Sequence, residues 1–193
     1  MFLALSSGID RFNAVIGKAV IWLILASLLI SAGNALVRKT FAVSSNAWLE
    51  VQWYLFGAAF LLAAAYTLRE NEHIRVDILY GKCSRRTQHM IDLFGHVFFL
   101  MPFTILMAVY LLPYVSQSYQ SNEVSNSAGG LILWPAKSLL LIGFLLLIIQ
   151  GLSEIIKKIA ILRGVMEDPH SATQETEDTD AEAAAASSGE GQK

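Results

Sequence analysis

Four long apolar runs, separated by short polar segments, dominate the pattern of hydrophobic and polar positions along the chain. The runs cover approximately residues 19–37, 48–68, 91–115 and 131–152. Each is close to the roughly 20 mostly apolar residues that a helix needs to cross the hydrocarbon core of a bilayer. None shows the alternation of apolar and polar residues that is typical of a membrane β-strand. The pattern therefore predicts an all-α protein with four transmembrane helices.

The end of the chain has a different composition. Residues 168–193 contain no Ile, Leu, Val or Phe and are rich in acidic and small residues. Such a segment cannot bury enough apolar surface to offset the conformational entropy that it would lose on ordering. We therefore expect a membrane domain over residues 1–165 and a disordered acidic cytoplasmic tail over residues 166–193.

Composition excludes several classes of function. Only 16% of the residues are charged, against about 25% in average globular proteins, which supports a membrane protein. Lys and Arg form no long basic run, so the sequence offers no nucleic-acid-binding surface. Cys83 is the only cysteine, which excludes an intrachain disulfide and a cysteine-based zinc site.

Lys and Arg are distributed unevenly around the predicted spans, and this distribution predicts their orientation. Only Arg38 and Lys39 lie in the loops after the first and third spans. Ten basic residues flank the other span ends: Arg11, Lys18, Arg69, Arg75, Lys82, Arg85, Arg86, Lys157, Lys158 and Arg163. Because basic loops stay on the cytoplasmic side, we expect both termini and the 69–90 loop to be cytoplasmic. Trp48, Trp53 and Trp134 would then lie near the outer interface, as an aromatic belt does.

The segment YTLRENEHIRVDIL, residues 66–79, allows three interpretations. Its few apolar residues could lie in the membrane interface while the charges face headgroups, which would make it a cytoplasmic interfacial arm between helices 2 and 3. His73 and Asp77 are four residues apart and could instead form part of a metal or proton site. The segment could also dock on another protein.

His89, Asp92 and His96 lie on one face of the predicted third helix. One hypothesis is a membrane redox subunit that binds a metal or haem through these residues. The competing interpretation is a set of polar residues at the cytoplasmic interface, with His96 bonded to Asp92 one turn away. Nearby, Pro102 predicts a bend in the same span, with Thr104 as a partner for the freed carbonyl.

Glu50 and Lys137 enter the second and fourth spans from the same side. Ionisable residues inside a membrane usually serve a function and need a partner. One interpretation pairs Glu50 with Lys137, and the other leaves each at its own interface, with Lys137 extended towards water. The middle of every span lacks charge, which favours a scaffold or accessory subunit over a transporter that works alone. A small self-associating exporter is an alternative, but it predicts a carboxylate in the first span, where none is present.

Two long stretches of the sequence resemble a known family. Residues 50–93 open with Glu50 and Trp53, and continue to a Leu-Arg-x-x-x-His-x-Arg-Val-Asp pattern at residues 68–77. Residues 127–159 contain Trp134 and Lys137 at the start of the last apolar run. Together these stretches resemble the DctQ-like small permease subunit of tripartite ATP-independent periplasmic (TRAP) transporters.

The resemblance implies a non-catalytic subunit of a bacterial inner-membrane transporter that takes up an organic acid. Its partners would be the large permease subunit, the periplasmic substrate-binding protein and membrane lipids. It implies no cofactor in this chain, and a sodium gradient would act through the large subunit. The residues that we expect at subunit interfaces, or in structural roles, are Glu50, Trp53, Arg69, His73, Arg75, Asp77, Trp134 and Lys137.

Overall fold

A computed structural model describes residues 2–42, 45–70 and 84–166 of the chain. Within these ranges the protein is helical except at the helix ends and in the loop 121–133, where Val124 and Ile132 form one isolated antiparallel bridge. A π-helical turn, His96–Leu100, joins the third helix to the fourth in one continuous rod. The helices are α1 (Phe2–Phe41), α2 (Asn46–Glu70), α3 (Arg85–Gly95), α4 (Met101–Gln120) and α5 (Trp134–Leu162).

The predicted all-α fold with four membrane spans is confirmed. In the described part of the chain, four helical stretches are long and apolar enough to cross a bilayer: Leu5–Phe41, Asn46–Glu70, Arg86–Gln120 and Trp134–Leu162. Helix α1 has 40 residues and is therefore about 60 Å long, twice the roughly 30 Å of a hydrocarbon core. It therefore extends well beyond the span predicted for residues 19–37.

Two of the predicted boundaries need comment. The fourth span was expected to begin at residue 131, but residues 131–133 belong to a loop and α5 begins at Trp134. Pro135 explains this start, because proline favours the first positions of a helix, where its missing N–H group costs nothing. Residues 66–70 of the predicted interfacial arm form the end of α2. The rest of the arm, with His73, Arg75 and Asp77, and nearly all of the predicted tail lie outside the described residues.

Helix α5 is the centre of the bundle. It packs against α1, α2, α3 and α4, and α1 also packs along α2. The end of the bundle where α1 starts and α5 finishes is called the terminal end below, because Ser6 there contacts Ser153. The opposite end is called the hairpin end, because Asn46 there contacts the loop between α4 and α5.

Small side chains line the interior, whereas large apolar side chains face outwards. The buried apolar residues include Ala58, Ala59 and Ala65 of α2. In contrast, Trp22 and Phe60 are 71% and 72% exposed. Lipid is as apolar as a protein core, so helices in a bilayer associate through close backbone approach and leave bulky groups to the lipid.

Pro102 lies directly after the π-helical turn. The N–H group of Met101 donates to the His96 carbonyl, five residues back, in place of the usual four. The Thr104 hydroxyl donates to the carbonyls of Leu100 (2.8 Å) and Met101 (3.2 Å). The Thr104 hydroxyl thus bonds carbonyls next to the proline, and a π-helical turn precedes it. The predicted bend stays a prediction.

The tightest helix contact gives a prediction about stability. A Cβ atom added at Gly17 of α1 would lie 2.5 Å from Cδ2 and 3.1 Å from Cβ of Tyr66 on α2. We expect Gly17→Ala to lower the free energy of unfolding by about 1–3 kcal/mol through overpacking. The measurement is thermal or denaturant unfolding of the full chain in detergent.

Gly57→Ala is the matched control for this experiment. A Cβ atom at Gly57 of α2 would meet nothing within 4 Å, and alanine favours a helix over glycine. We expect this variant to be as stable as the wild type or slightly more stable. Equal losses in the two variants would contradict the close approach of α1 and α2.

Candidate functional site

Polar side chains gather at both ends of the bundle. At the hairpin end, residues of α2 and α5 hold the loop 121–133, which is called the hairpin. At the terminal end, α1 and α5 share a set of side chains called the buried network: Ser6, Asp10, Asn13, Gln150, Ser153, Glu154 and Lys157.

The hairpin is closed by its own backbone. After α4 ends, Asn122 adopts a left-handed conformation with φ of 47°, which asparagine tolerates better than most residues. The Ser125 N–H group donates to the Leu131 carbonyl at 2.9 Å, and the Leu133 N–H group donates to the Glu123 carbonyl at 2.9 Å. These bonds flank the bridge between Val124 and Ile132 and give the loop a defined shape.

Glu50 of α2 fastens the hairpin to the bundle. Its Oε2 accepts a hydrogen bond of 2.7 Å from the Leu131 N–H group, and its Oε1 accepts one from the Ser125 hydroxyl. A carboxylate that accepts a backbone N–H bond is a strong, charge-assisted partner. Glu50 therefore binds one backbone N–H group and one hydroxyl of the hairpin.

Two neighbours of Glu50 strengthen this attachment. The Asn46 side-chain amide donates to the Ala128 carbonyl at 3.1 Å, and the Tyr54 hydroxyl lies 3.4 Å from the Ile132 carbonyl. Residues 46, 50 and 54 are spaced four apart, so they lie along one face of α2. One helix face thus holds the tip, the middle and the base of the hairpin.

Lys137 is paired within the hairpin end, and the predicted pairing of Glu50 with Lys137 is wrong. The ammonium group of Lys137 contacts the carboxylate of Glu123 and lies 4.0 Å from the centroid of the Tyr114 ring. Glu123 is the only charged residue in the hairpin. Because Glu50 already binds the hairpin through Leu131 and Ser125, the nearest free carboxylate for Lys137 is that of Glu123.

The Glu123 pair is stable at neutral pH. The hydrogen bond from Lys137 lowers the pKa of the Glu123 carboxyl below its usual 4.5. A carboxyl with a lowered pKa in the folded state contributes stability above its unfolded pKa. The contribution is lost only as the pH falls through the lowered value, so the hairpin contact is fully present at physiological pH.

The tryptophans predicted for the outer interface all lie at the hairpin end. Trp134 starts α5 and its ring meets Tyr119 edge-on, with centroids 5.4 Å apart. Trp53 is 72% exposed and borders a groove of about 280 Å³ between α2 and the hairpin. Glu50 and Ser125 line the same groove. Among the candidate site residues that the structure describes, Trp53 is the one whose side chain is exposed.

The buried network joins α1 to α5. Gln150 is fully buried and lies at its centre: its Oε1 accepts from the Asn13 amide at 2.6 Å. Its Nε2 donates to Asp10 Oδ1 at 2.9 Å and to Glu154 Oε1 at 2.8 Å. Ser153 donates to the same Asp10 oxygen at 3.1 Å. Buried polar groups of this kind stabilise a bundle only when their partners are in place.

Charge in the network is balanced by basic residues. Lys157 bridges the two acids, with Nζ 3.1 Å from Asp10 Oδ2 and 2.5 Å from Glu154 Oε1. The guanidinium of Arg69 donates to the backbone carbonyl of Asp10 at 3.0 Å and lies 5.1 Å from the centre of the Tyr66 ring. Arg69, an expected interface residue, thus ties α2 to α1 within this chain.

Sequence analysis missed Asp10 and Asn13, although their spacing carried a signal. The polar residues of the network recur at helical intervals. They are residues 6, 10 and 13 of α1, and residues 150, 153, 154 and 157 of α5. This spacing puts each set on one helix face. Two polar stripes on otherwise apolar helices indicate a shared interface, but which helix faces which depends on tertiary packing.

His89, Asp92 and His96 hold structural partners. Lys158 Nζ lies 2.8 Å from Asp92 Oδ2 and 3.4 Å from His89 Nδ1, which ties α3 to α5. His96 Nδ1 lies 2.6 Å from the Asp92 backbone carbonyl. His96 is thus bonded to Asp92 as one interpretation proposed, through the main chain. Among the described residues, no group of three or more His, Cys, Asp or Glu side chains is arranged to hold a metal ion.

The buried network generates a second prediction. We expect Asp10→Ala to lower the free energy of unfolding by about 1–3 kcal/mol, because Gln150, Ser153 and Lys157 would lose a buried acceptor. The measurement is unfolding of the full chain in detergent. Asp10→Asn keeps an oxygen acceptor and is expected to lose less. The exposed neighbour Arg11 provides the control Arg11→Ala, and a loss as large as that of Asp10→Ala would contradict the role of the network.

Comparison with known proteins identifies the family. The model of the family described as tripartite ATP-independent periplasmic transporters, DctQ component, matches residues 27–160, which include Glu50, the hairpin and Lys137. No curated protein and no solved structure matches the chain. The resemblance seen in the sequence is confirmed, and the family is a transporter component with four apolar helices in this member. The chain belongs to the DctQ family, the small membrane subunits of TRAP transporters.

Proposed function

We propose that this small subunit braces the large TRAP permease subunit in the bacterial inner membrane and helps to dock the periplasmic substrate-binding protein. The complex would take up an organic acid with the sodium gradient acting through the large subunit. Family membership supports the partners. The distribution of Lys and Arg supports cytoplasmic termini and therefore a periplasmic hairpin.

The attachment of the hairpin to the bundle is the observation that supports the docking role. Asn46, Glu50 and Tyr54 hold it from one helix face, and Lys137 holds it from α5. Association with a soluble protein costs less when the loop that is contacted is already ordered, because less conformational entropy is lost. A pre-ordered loop on the periplasmic side suits a partner that must bind and release repeatedly.

The exposed surface of the hairpin suits such a partner. Its tip, residues 126–129, is exposed and carries no charge, and Trp53 stands exposed beside it. Backbone and serine groups can form hydrogen bonds, while an exposed tryptophan supplies apolar contact area.

The absence of ionisable residues from the middle of the spans supports the bracing role. Residues 19–37, 51–68, 97–115 and 138–152 contain no Asp, Glu, Lys, Arg or His. Substrate and ion pathways in membranes usually place polar or ionisable groups at mid-depth. We therefore assign substrate and sodium sites to the large subunit, and assign to this chain a rigid apolar surface tied by hydrogen bonds at both ends.

The docking role predicts a change in how uptake depends on the binding protein. We expect Glu50→Ala, which frees the Leu131 N–H and the Ser125 hydroxyl, to raise the half-saturating concentration of binding protein by about five- to tenfold. That range corresponds to about 1–1.4 kcal/mol of lost pre-ordering. The measurement is substrate uptake into proteoliposomes that contain both membrane subunits, with the binding protein titrated outside.

Glu70→Ala is the control, because it removes the same charge from the opposite end of α2. We expect its titration curve to match that of the wild type. The soluble binding protein should keep its affinity for substrate throughout. An unchanged half-saturating concentration for Glu50→Ala, with the complex intact, would argue against docking through the hairpin.

The bracing role predicts a stable complex. When the tagged full-length chain is purified from native membranes in mild detergent, we expect a large permease subunit to elute with it in roughly equal amount. Mass spectrometry of the eluate and a metal and haem assay provide the measurement. Elution of the chain alone, or with bound metal, would contradict the proposal. It would favour the alternative of a metal or haem site at His89, Asp92 and His96.

A further inference from the structure

A second groove lies between α1 and α2, away from the hairpin contacts. It has a volume of about 440 Å³ and is lined mainly by apolar atoms. Residues of α1 form one wall and Trp48, near the start of α2, forms part of the other. The residues of α1 that line it are Leu29, Ile30, Gly33, Asn34 and Val37.

Gly33 opens the groove. A Cβ atom at this position would meet nothing within 4 Å, so the missing side chain leaves a gap on the helix surface. The lining residues recur at helical spacing from 29 to 37, which is about 12 Å along the helix axis. An apolar groove of this length at membrane depth fits a hydrocarbon chain. Apolar sites do not hold ordered water.

Two cations, Arg38 and Lys39, follow the lining residues in the last turn of α1. Arg38 lies four residues after Asn34 and therefore on the same face of α1, and Lys39 follows it. Both are exposed, and neither forms an ion pair with another residue that the structure describes. Guanidinium and ammonium groups at the end of an apolar groove are donors that suit phosphate oxygens.

Arg38 and Lys39 are the only basic residues in the two segments between predicted spans that the proposed orientation places outside. Basic residues are uncommon there, because loops rich in Lys and Arg stay in the cytoplasm. Their place in the last turn of α1 complements the helix dipole. The dipole explains a basic residue at the helix end, but it does not explain the open apolar groove that leads to it.

We propose that this groove binds one anionic phospholipid of the outer leaflet, with an acyl chain along Gly33 and the phosphate on Arg38 and Lys39. A phospholipid joins an apolar acyl chain to an anionic headgroup. Along α1 the apolar groove comes first and the cations follow it, so the two parts of the lipid match the two parts of the site. A partner helix would need a thin apolar ridge and a carboxylate at Arg38 to match the same features. We therefore assign the groove to a lipid that has both an acyl chain and an anionic headgroup.

The test is native mass spectrometry of the full-length chain in detergent, titrated with dioleoylphosphatidylglycerol and, separately, with dioleoylphosphatidylcholine. We expect one molecule of the anionic lipid to be retained more tightly than the neutral one. Arg38→Gln with Lys39→Gln should weaken retention about thirtyfold, and either change alone about fivefold, since each cation near an anionic lipid contributes about 1 kcal/mol. Arg11→Gln with Lys18→Gln removes two exposed cations from the other end of α1 and should have little effect on this site.

Gly33→Leu separates the groove from the charges. The added side chain enters open space, so the variant should keep the wild-type unfolding temperature while it loses the retained lipid. Equal retention of both lipids by the wild type, or unchanged retention in Gly33→Leu and in the Arg38/Lys39 variant, would overturn the proposal. So would a Gly33→Leu variant that keeps the lipid but no longer co-purifies with the large subunit, because the groove would then hold a helix of that partner.

Discussion

The bundle depends on hydrogen bonds at its ends, because contact between apolar side chains gives helices in lipid little reason to associate. Lipid tails solvate a leucine as well as a neighbouring helix does, so the hydrophobic effect that drives a soluble bundle is absent within the bilayer. Gln150 meets this constraint by bonding Asn13, Asp10 and Glu154 at the same time. Glu50 meets it at the other end, where its carboxylate binds the hairpin backbone.

The two ends use the same chemistry for different purposes. At the terminal end the polar groups are enclosed between two long helices, so the network fixes how α1 lies on α5. At the hairpin end the polar groups hold a loop whose tip stays exposed. Between them the buried residues include several alanines, and the contact of Gly17 with Tyr66 sets how closely α1 and α2 approach. In the part of the chain that the structure describes, this bundle and its exposed loop fit the proposed bracing and docking roles.

Much of this architecture could be predicted from the sequence, and the reasons for the failures are specific. The four spans followed from length and hydropathy, since a helix that crosses a bilayer must be long and apolar wherever it packs. The start of α5 was misplaced because Leu131, Ile132 and Leu133 are as apolar as a membrane span, although they lie in the hairpin. Hydropathy indicates whether a side chain can lie in an apolar environment. It does not indicate whether the backbone of that residue forms hydrogen bonds within a helix or across a loop.

The pairing of charges shows the same division. By itself the sequence determined that Glu50 and Lys137 lie at one end of the bundle, that the middle of each span is uncharged, and that the chain resembles a small TRAP permease subunit. Only the tertiary structure decided that Lys137 contacts Glu123, that Glu50 caps the hairpin, and that Asp10 completes a network with Gln150. The physical reason is that a polar group near a membrane takes the nearest available partner, and distance between partners is set by how the helices pack.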